Sequence, residues 1–294
     1  MSQFSNKTAV ISGGAEGIGL SIATAMGQQG MNIVLGDIDA AQLATAEAKL
    51  TELGINVLGV QMDVTNLEDW QNLADRAIER FGKIHMLVNN AGVGSAPGPI
   101  AATNHKDWRW VIDVNLMGVV SGAQIIVPFI KQHGEGGWMI NTASMAGMTG
   151  VPYAGAYTAT KVAVVGMSEA WQAELEKDNI HVSVLCPAFV KTRIHLSHRN
   201  RQDQYKEPAV SSPNINKSAI KNTAAQLVEN GIPAELVGLR VVEAVVAGEF
   251  YIFTHPSHRK DMAKRAAAID AAFERAAASP LLVDVVDVEI PGFG

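Results

Sequence analysis

Apolar residues recur along the chain in short runs, and most runs are followed by stretches with helical spacing. The runs are Lys7–Ser12, Met31–Gly36, Ile55–Met62, Ile84–Val88, Gly136–Thr142, His181–Leu185 and Phe250–Thr254, each five to eight residues long. Runs of this length, closed by glycine or polar residues, predict strands. Leu20–Gln29, Ala40–Leu53, a segment ending at Phe81, Asp107–Lys131, a segment from Gly155 to Lys177, and Ala234–Ala247 read as helices. Asp39-Ala40-Ala41-Gln42 and Thr65-Asn66-Leu67-Glu68 have capping-box spacing and mark two helix starts. Strand and helix in alternation predict an α/β domain, in which active groups collect at the carboxyl ends of the strands.

The first strand–helix junction carries candidate chemistry. Lys7–Ser12 ends in Gly13-Gly14-Ala15-Glu16-Gly17-Ile18-Gly19, and the helix that follows stops at Gly30. Glycines permit positive φ and let the backbone approach a pyrophosphate, while the helix N-terminus offers free N–H groups to the anion. A plain turn would also carry glycines, but strand, loop and helix together favour a dinucleotide. Asp37 stands at the end of the second strand, eighteen residues beyond Gly19. A carboxylate there accepts from ribose hydroxyls and repels a 2′-phosphate, and Glu16 stands where a base would favour NADP, so NAD is expected. Asp39 competes for that role but is better explained as a helix cap. Asp63, ending the third strand, lies either against an adenine or in a turn. Asn89-Asn90-Ala91-Gly92 is either a close-packed floor beneath a cofactor or a routine turn. Asn115, inside the long helical stretch, needs partners: it bends the helix and binds a water, or it bonds a neighbouring loop.

Composition narrows the class. The 294 residues suffice for one large α/β domain or two small ones, and 48% of them are apolar. No apolar run reaches bilayer-spanning length and the start MSQFSNK lacks a signal-peptide core, so a cytoplasmic protein without a membrane partner is expected. A net charge of −6 argues against nucleic acid. The single cysteine, Cys186, excludes an internal disulfide and a cysteine-built metal site, and its place after an apolar run predicts a buried thiol. No metal is expected.

The densest chemistry lies in Ser144–Lys161, where a serine is followed by Tyr157 thirteen residues on and by Lys161 four after that. If the segment after Gly155 is helical, Tyr157 and Lys161 share a face. An ammonium beside a phenol favours the phenolate and suits it to general acid/base work, and Ser144 would address the same reacting oxygen. An ordinary surface pair has the same spacing. Tyr153 is a weaker rival, since four residues after it lies Tyr157 rather than a lysine; it reads as pocket wall or packing.

These pieces together resemble the short-chain dehydrogenase/reductases, over about residues 5 to 255. The spacing Gly13-x-x-x-Gly17-x-Gly19, Asn89-Asn90-Ala91-Gly92, Asn115, Ser144, Tyr157 and Lys161 occur in that family's order. The resemblance implies a doubly wound (Rossmann) α/β fold, with a seven-stranded parallel sheet between helices. Residues 1–255 would form the catalytic domain, with a substrate lid at 189–230 and a C-terminal extension at 256–294. Carried over by position, Tyr157 exchanges the proton, Ser144 orients the substrate oxygen, Lys161 lowers the tyrosine pKa and holds the nicotinamide ribose, and Asn115 binds a relay water. NAD would be held by Gly13, Gly17, Ile18, Gly19, Asp37, Asp63, Val64, Asn90, Ala91 and Gly92, with Pro187, Val190 and Thr192 beside the nicotinamide. Ser12 and Ala188 depart from the family pattern, the first while keeping a hydroxyl. The family also implies a small alcohol or ketone as substrate and a homo-oligomer, dimer or tetramer.

From Phe189 to about Asn230 the pattern gives way to a polar stretch with seven Lys or Arg against Asp203 and Glu207 up to Lys221. It is either a solvated lid face or a lure for anionic substrate or cofactor phosphates. Ser257–Ala278 reads as an exposed or docking helix, and the apolar tail Leu281–Ile290 is expected to pack on its own subunit or a neighbour. Ser95, Ala96, Met145, Ala146, Val151, Tyr153 and Phe189 are candidate pocket residues; their apolar character suggests a hydrophobic or aromatic secondary alcohol. The Cys186–Thr192 run and the YIFTHP strand add a resemblance to bacterial dehydrogenases of lignin-derived aryl-ether Cα alcohols. An epimerase or dehydratase would space its glycines G-x-x-G-x-x-G. An NADPH-dependent ketone reductase remains an alternative, as does an NAD-binding regulator, which would have little need of Ser144, Tyr157 and Lys161 together.

Overall fold

Alternate residues of each central strand feed two different apolar layers, and this sorting builds the fold. In the computed structural model, which describes residues 2–94, 97–206, 223 and 225–282, seven parallel strands form one sheet. They are β1 (Thr8–Ser12), β2 (Asn32–Asp37), β3 (Val57–Gln61), β4 (Met86–Asn89), β5 (Gly137–Thr142), β6 (Ile180–Cys186) and β7 (Tyr251–Phe253), in the order β3-β2-β1-β4-β5-β6-β7. Ala9, Ile11, Ile33 and Leu35 point to one face, against α1 (Gly17–Gln28) and α8 (Ala234–Val246). Val10, Val34 and Leu87 point to the other, against α3 (Leu67–Phe81) and α5 (Gly118–Gln132). Strand order reverses between β1 and β4, which opens a crevice at their carboxyl ends.

Helix ends follow their chemistry. Asp39 caps α2 (Ala40–Glu52) through the Gln42 amide at 3.1 Å, as its spacing predicts. The α1 helix opens at Gly17 rather than Leu20, so the last glycines of the loop form its first turn.

The stretch read as one helix from Asp107 to Lys131 is longer and broken. It consists of α4 (His105–Ile112), a π turn at Asp113–Met117 and α5. The π turn turns Asn115, fully buried, out of helical register. Contrary to the sequence expectation about apolar runs, His105–Gln132 is long and apolar enough to cross a bilayer. Its apolar side chains, among them Trp110, Val111, Ile126 and Ile130, are nevertheless buried in the domain's second layer.

At the opposite, amino-terminal edge of the sheet, His85 is buried and accepts from the Thr8 amide at 3.1 Å through Nδ1. Its Nε2 faces Glu135 at 3.3 Å, while His133 Nε2 meets the Ile84 carbonyl at 2.8 Å and His133 Nδ1 accepts from the Glu135 amide at 3.2 Å. Every ring nitrogen of this cluster is therefore committed to a hydrogen bond. Burial first, then the neighbouring His133 and Lys7, push the His85 pKa down to about 4. The unfolded chain, with an ordinary imidazole, takes up this proton first as the pH falls. Native stability should decline from about pH 6.5 to pH 4 and level off below. Thermal melts across that range should show a shallower acid limb for His85→Gln than for the wild type.

Contacts divide the chain into units Met1–Thr254 and His255–Gly294. The second contains a turn at Pro256–His258 and α9 (Arg259–Ala277), which has no buried side chain and exposes Ile269 and Phe273. Of the tail expected to pack, Leu281 and Leu282 are exposed and 283–294 lie outside the described residues, as do 207–222 of the lid.

Candidate active site

The crevice is floored by glycine because nothing larger fits. Gly13 and Gly17 hold φ of +62° and +56°, and a Cβ on Gly13 would lie 2.8 Å from the Ala91 Cα. Ser12 Oγ accepts from the Asn90 and Ala91 amides at 3.1 and 3.2 Å, so the residue that departs from the family pattern still ties the two loops together. The Asn90 side chain donates to the Ser12 and Gly13 carbonyls at 3.1 and 2.9 Å. That amide braces the glycine loop, with its Nδ2 committed to two backbone carbonyls. Glu16, at the N-cap position of α1, makes no side-chain capping bond, which leaves the N–H groups of the first turn to an anion.

Asp37 lies at the groove's edge, its Oδ2 accepting from the Ala15 amide at 3.0 Å and its Oδ1 from the Asp39 amide at 3.1 Å. Burial raises its pKa against the opposing effect of these bonds. Asp63 serves the turn: Oδ1 accepts from the Thr65 amide and hydroxyl at 2.9 and 2.8 Å, and Oδ2 from Gln202 at 2.7 Å. Only Oδ2 retains a free acceptor position. Val64 is buried, with Gly118 packed so closely that a Cβ there would stand 2.9 Å from its Cγ2. The Val64 side chain is therefore held chiefly by the core. Ile18 packs against the first apolar layer, and Thr192 lies beside Gly17, where a Cβ would stand 3.1 Å from its Cγ2. Val190 is buried and bridges to Ile232. The Pro187 carbonyl accepts from the Met145 amide at 2.9 Å.

Ser144, just past β5, caps the short helix α6 (Met145–Met148) through the Ala146 amide at 3.1 Å. Its hydroxyl lies 3.3 Å from the Pro187 carbonyl and faces the Tyr157 phenol. Tyr157 and Lys161 occupy the first two turns of α7 (Gly155–Leu175) on one face, with the Lys161 Nζ 5.7 Å from the tyrosine ring centroid. Lys161 is 3% exposed and donates to the Thr142 carbonyl at 2.7 Å. Asn115 closes the group. Its amide makes a reciprocal pair with Val93, accepting from the backbone N–H at 2.7 Å and donating to the carbonyl at 2.9 Å. A point one Cβ above Gly92 is 3.5 Å from the Asn115 Oδ1 and 3.7 Å from the Lys161 Nζ, which gathers both around one spot.

Burial dominates the electrostatics here. Burial raises the Tyr157 pKa above its ordinary value, with the Ser144 hydrogen bond working against it. Burial also pushes Lys161 down to about 8, and Cys186, the buried thiol expected, up to about 12. Desolvation of the phenol is thus the larger effect and works against the phenolate. Tyr153 stands apart, half-exposed, at φ +65°, with its carbonyl accepting from the Gly98 amide at 2.9 Å. A tyrosine held in the left-handed region is costly, and such strain concentrates at functional surfaces.

Spacing could not reveal the lid's partners. Arg193 and Arg199 both bond Glu16, Arg201 pairs with Asp107 and Lys206 with Asp203. Lid cations up to Lys206 are thus largely met by acids of this chain.

A parallel sheet with a glycine-floored crevice at its switch point defines a dinucleotide-binding α/β protein. The family model described as short chain dehydrogenase matches residues 7–203. The chain is 33% identical over 270 residues to a C alpha-dehydrogenase of Sphingobium sp. strain SYK-6, covering 92% of this chain and 87% of that one. It is equally 33% identical over 273 residues to a CLA biosynthesis dehydrogenase/reductase of Lactiplantibacillus plantarum, covering 90% and 94%. Among solved structures, a short chain dehydrogenase/reductase from Burkholderia phymatum in complex with NAD superposes with a TM-score of 0.88 at 36% identity, over 92% of this chain and 97% of that one. The chain belongs to the short-chain dehydrogenase family and is an oxidoreductase of that type.

Proposed function

We propose that the protein is an NAD-dependent dehydrogenase of hydrophobic or aromatic secondary alcohols, working as a homo-oligomer and able to reduce the corresponding ketones. The observation that carries this reading is the convergence of Ser144, Tyr157 and Lys161 at the carboxyl edge of the sheet, beside the glycine crevice. NAD suits the groove because Gly13 and Gly17 have the φ a close backbone approach requires, and because α1 presents an uncapped N-terminus. The Asp37 carboxylate, at the end of β2, would repel a 2′-phosphate. Held by the glycine loop and Asp37, NAD would supply the acceptor for the hydride of the carbinol carbon.

The residues of the chain move the proton. Ser144 holds the substrate oxygen, and Tyr157 takes its hydroxyl proton as the hydride leaves. Lys161, bonded to Thr142, keeps two further N–H donors for the ribose and the relay. Asn115 fixes the Val93 loop and so shapes the spot above Gly92 where a relay water can bind. Positive charge on Lys161, with its pKa about 8, favours the tyrosinate as it forms.

Two features support an apolar substrate. Val151, Tyr153 and Phe189 are exposed, and Met145 and Ala146, next after Ser144, are buried; Ser95 and Ala96 lie outside the described residues. Similarity to the Sphingobium C alpha-dehydrogenase favours a benzylic carbinol. Incubating the protein with NAD and a panel of aryl and aliphatic carbinols tests the reading: NADH should form fastest with benzylic secondary alcohols. Failure with every carbinol, and of NADH with every matching ketone, would refute it.

Cofactor choice has its own test. Replacing Asp37 by alanine removes the charge that repels a 2′-phosphate and loosens the Ala15 amide it holds. The ratio of kcat/KM for NADP to that for NAD should rise by about tenfold or more. An unchanged ratio would take cofactor selection away from Asp37.

A further inference from the structure

Residues 193–206 form two short turns, Ile194–Asn200 and Asp203–Tyr205, that meet three separate rims of the crevice. On the rim after β1, Arg193 and Arg199 grip Glu16, one on each carboxylate oxygen. On the rim after β4, the Gly94 amide donates to Ser197 Oγ at 3.1 Å, and a Cβ on Gly94 would lie 3.2 Å from the Ile194 carbonyl. On the rim after β3, Gln202 donates to Asp63 at 2.7 Å while accepting from Trp110 at 3.0 Å. Beyond the rims, Arg201 binds Asp107, and the Tyr205 hydroxyl donates to Asp113 at 2.9 Å. A chain pinned to the loops after β1, β4 and β3 lies across the mouth of the groove those loops surround.

Glu16 is otherwise hard to account for. It does not cap α1, and an acid at a helix N-terminus that receives a pyrophosphate repels the very ligand the helix attracts. Two arginines on one carboxylate answer this, because the trio carries a net positive charge and ties the segment down.

We propose that Glu16 is the positioning residue that holds 193–206, part of the substrate lid the family resemblance implies, shut as a strap over the dinucleotide. Exchange of the cofactor then waits on release of Arg193 and Arg199 from Glu16. This rests on the NAD reading given above, and the test separates the two.

NADH is bound to the wild-type protein and its dissociation followed by stopped-flow fluorescence on chasing with excess NAD. The variants are Glu16→Gln, Arg199→Gln and the double substitution, all at side chains a quarter or more exposed, so the fold is not at stake. Removing a negative charge beside the pyrophosphate would by itself slow release. Loss of the clasp instead speeds it, by about tenfold in Glu16→Gln. The double variant should release no faster than Glu16→Gln, since that substitution already frees both arginines. Gln202→Ala, at the far rim, should also speed release. Slower or unchanged release in Glu16→Gln, or additive effects in the double, would overturn the strap while leaving the NAD reading intact. A wild-type protein that binds no NADH would overturn both.

Discussion

Tyr157→Phe is expected to lower kcat for carbinol oxidation by roughly a thousandfold, while the dissociation constant for NADH stays within about twofold of the wild type. Phenylalanine keeps the ring that packs at the start of α7 and deletes only the hydroxyl that faces Ser144. No other described group in the cleft can replace it. Ser144 is committed as a helix cap, Lys161 is a cation already donating to Thr142, and Tyr153 is half-exposed with no bond to Ser144 among those the structure shows. Steady-state rates with a benzylic carbinol and a fluorescence titration with NADH check both halves. Retained turnover would move the proton transfer to another group, and lost NADH binding would make Tyr157 structural.

The second large effect is expected at Gly19. A Cβ at this position would sit 2.1 Å from the Gly13 carbonyl oxygen and 2.5 Å from the Asn90 Nδ2, and neither can retreat. Gly13 is fixed by its own left-handed turn, and Asn90 by its bonds to the Ser12 and Gly13 carbonyls. Gly19→Ala must therefore push the glycine loop away from Asn90, at a cost of about 2 to 3 kcal/mol. NADH affinity should fall by about a hundredfold and the melting temperature by several degrees, as about that energy implies. Gly54→Ala is the control: its φ of +74° carries backbone strain, but a Cβ there meets nothing within 4 Å. That variant should lose some stability and keep its cofactor. Equal loss of NADH binding in both would mean that loop strain in general, rather than the Gly13–Asn90 contact, governs the site.

The fold was legible because its signals are local. Apolar runs between glycine and polar breaks placed all seven strands to within a few residues, and the Asp39 cap followed from a four-residue spacing. The helical step from Tyr157 to Lys161 put both on one face, as found. What the sequence hid is contact between distant residues and the balance of solvation. A π turn differs from an α turn by one residue of register, and the buried Asn115 was its only trace. The grip of Glu16 on residues far along the chain leaves no pattern in spacing. Burial acts on the phenol and the amine together, raising one pKa and lowering the other, and spacing carries no measure of it.

Hydride transfer from a carbinol carbon is the central claim, and an isotope follows it directly. A benzylic secondary alcohol carrying deuterium on its carbinol carbon should, on incubation with the protein and NAD, give NADH heavier by that deuterium, together with the unlabelled ketone. NADH without the label, or consumption of the alcohol with the deuterium still on its carbon, would contradict the account.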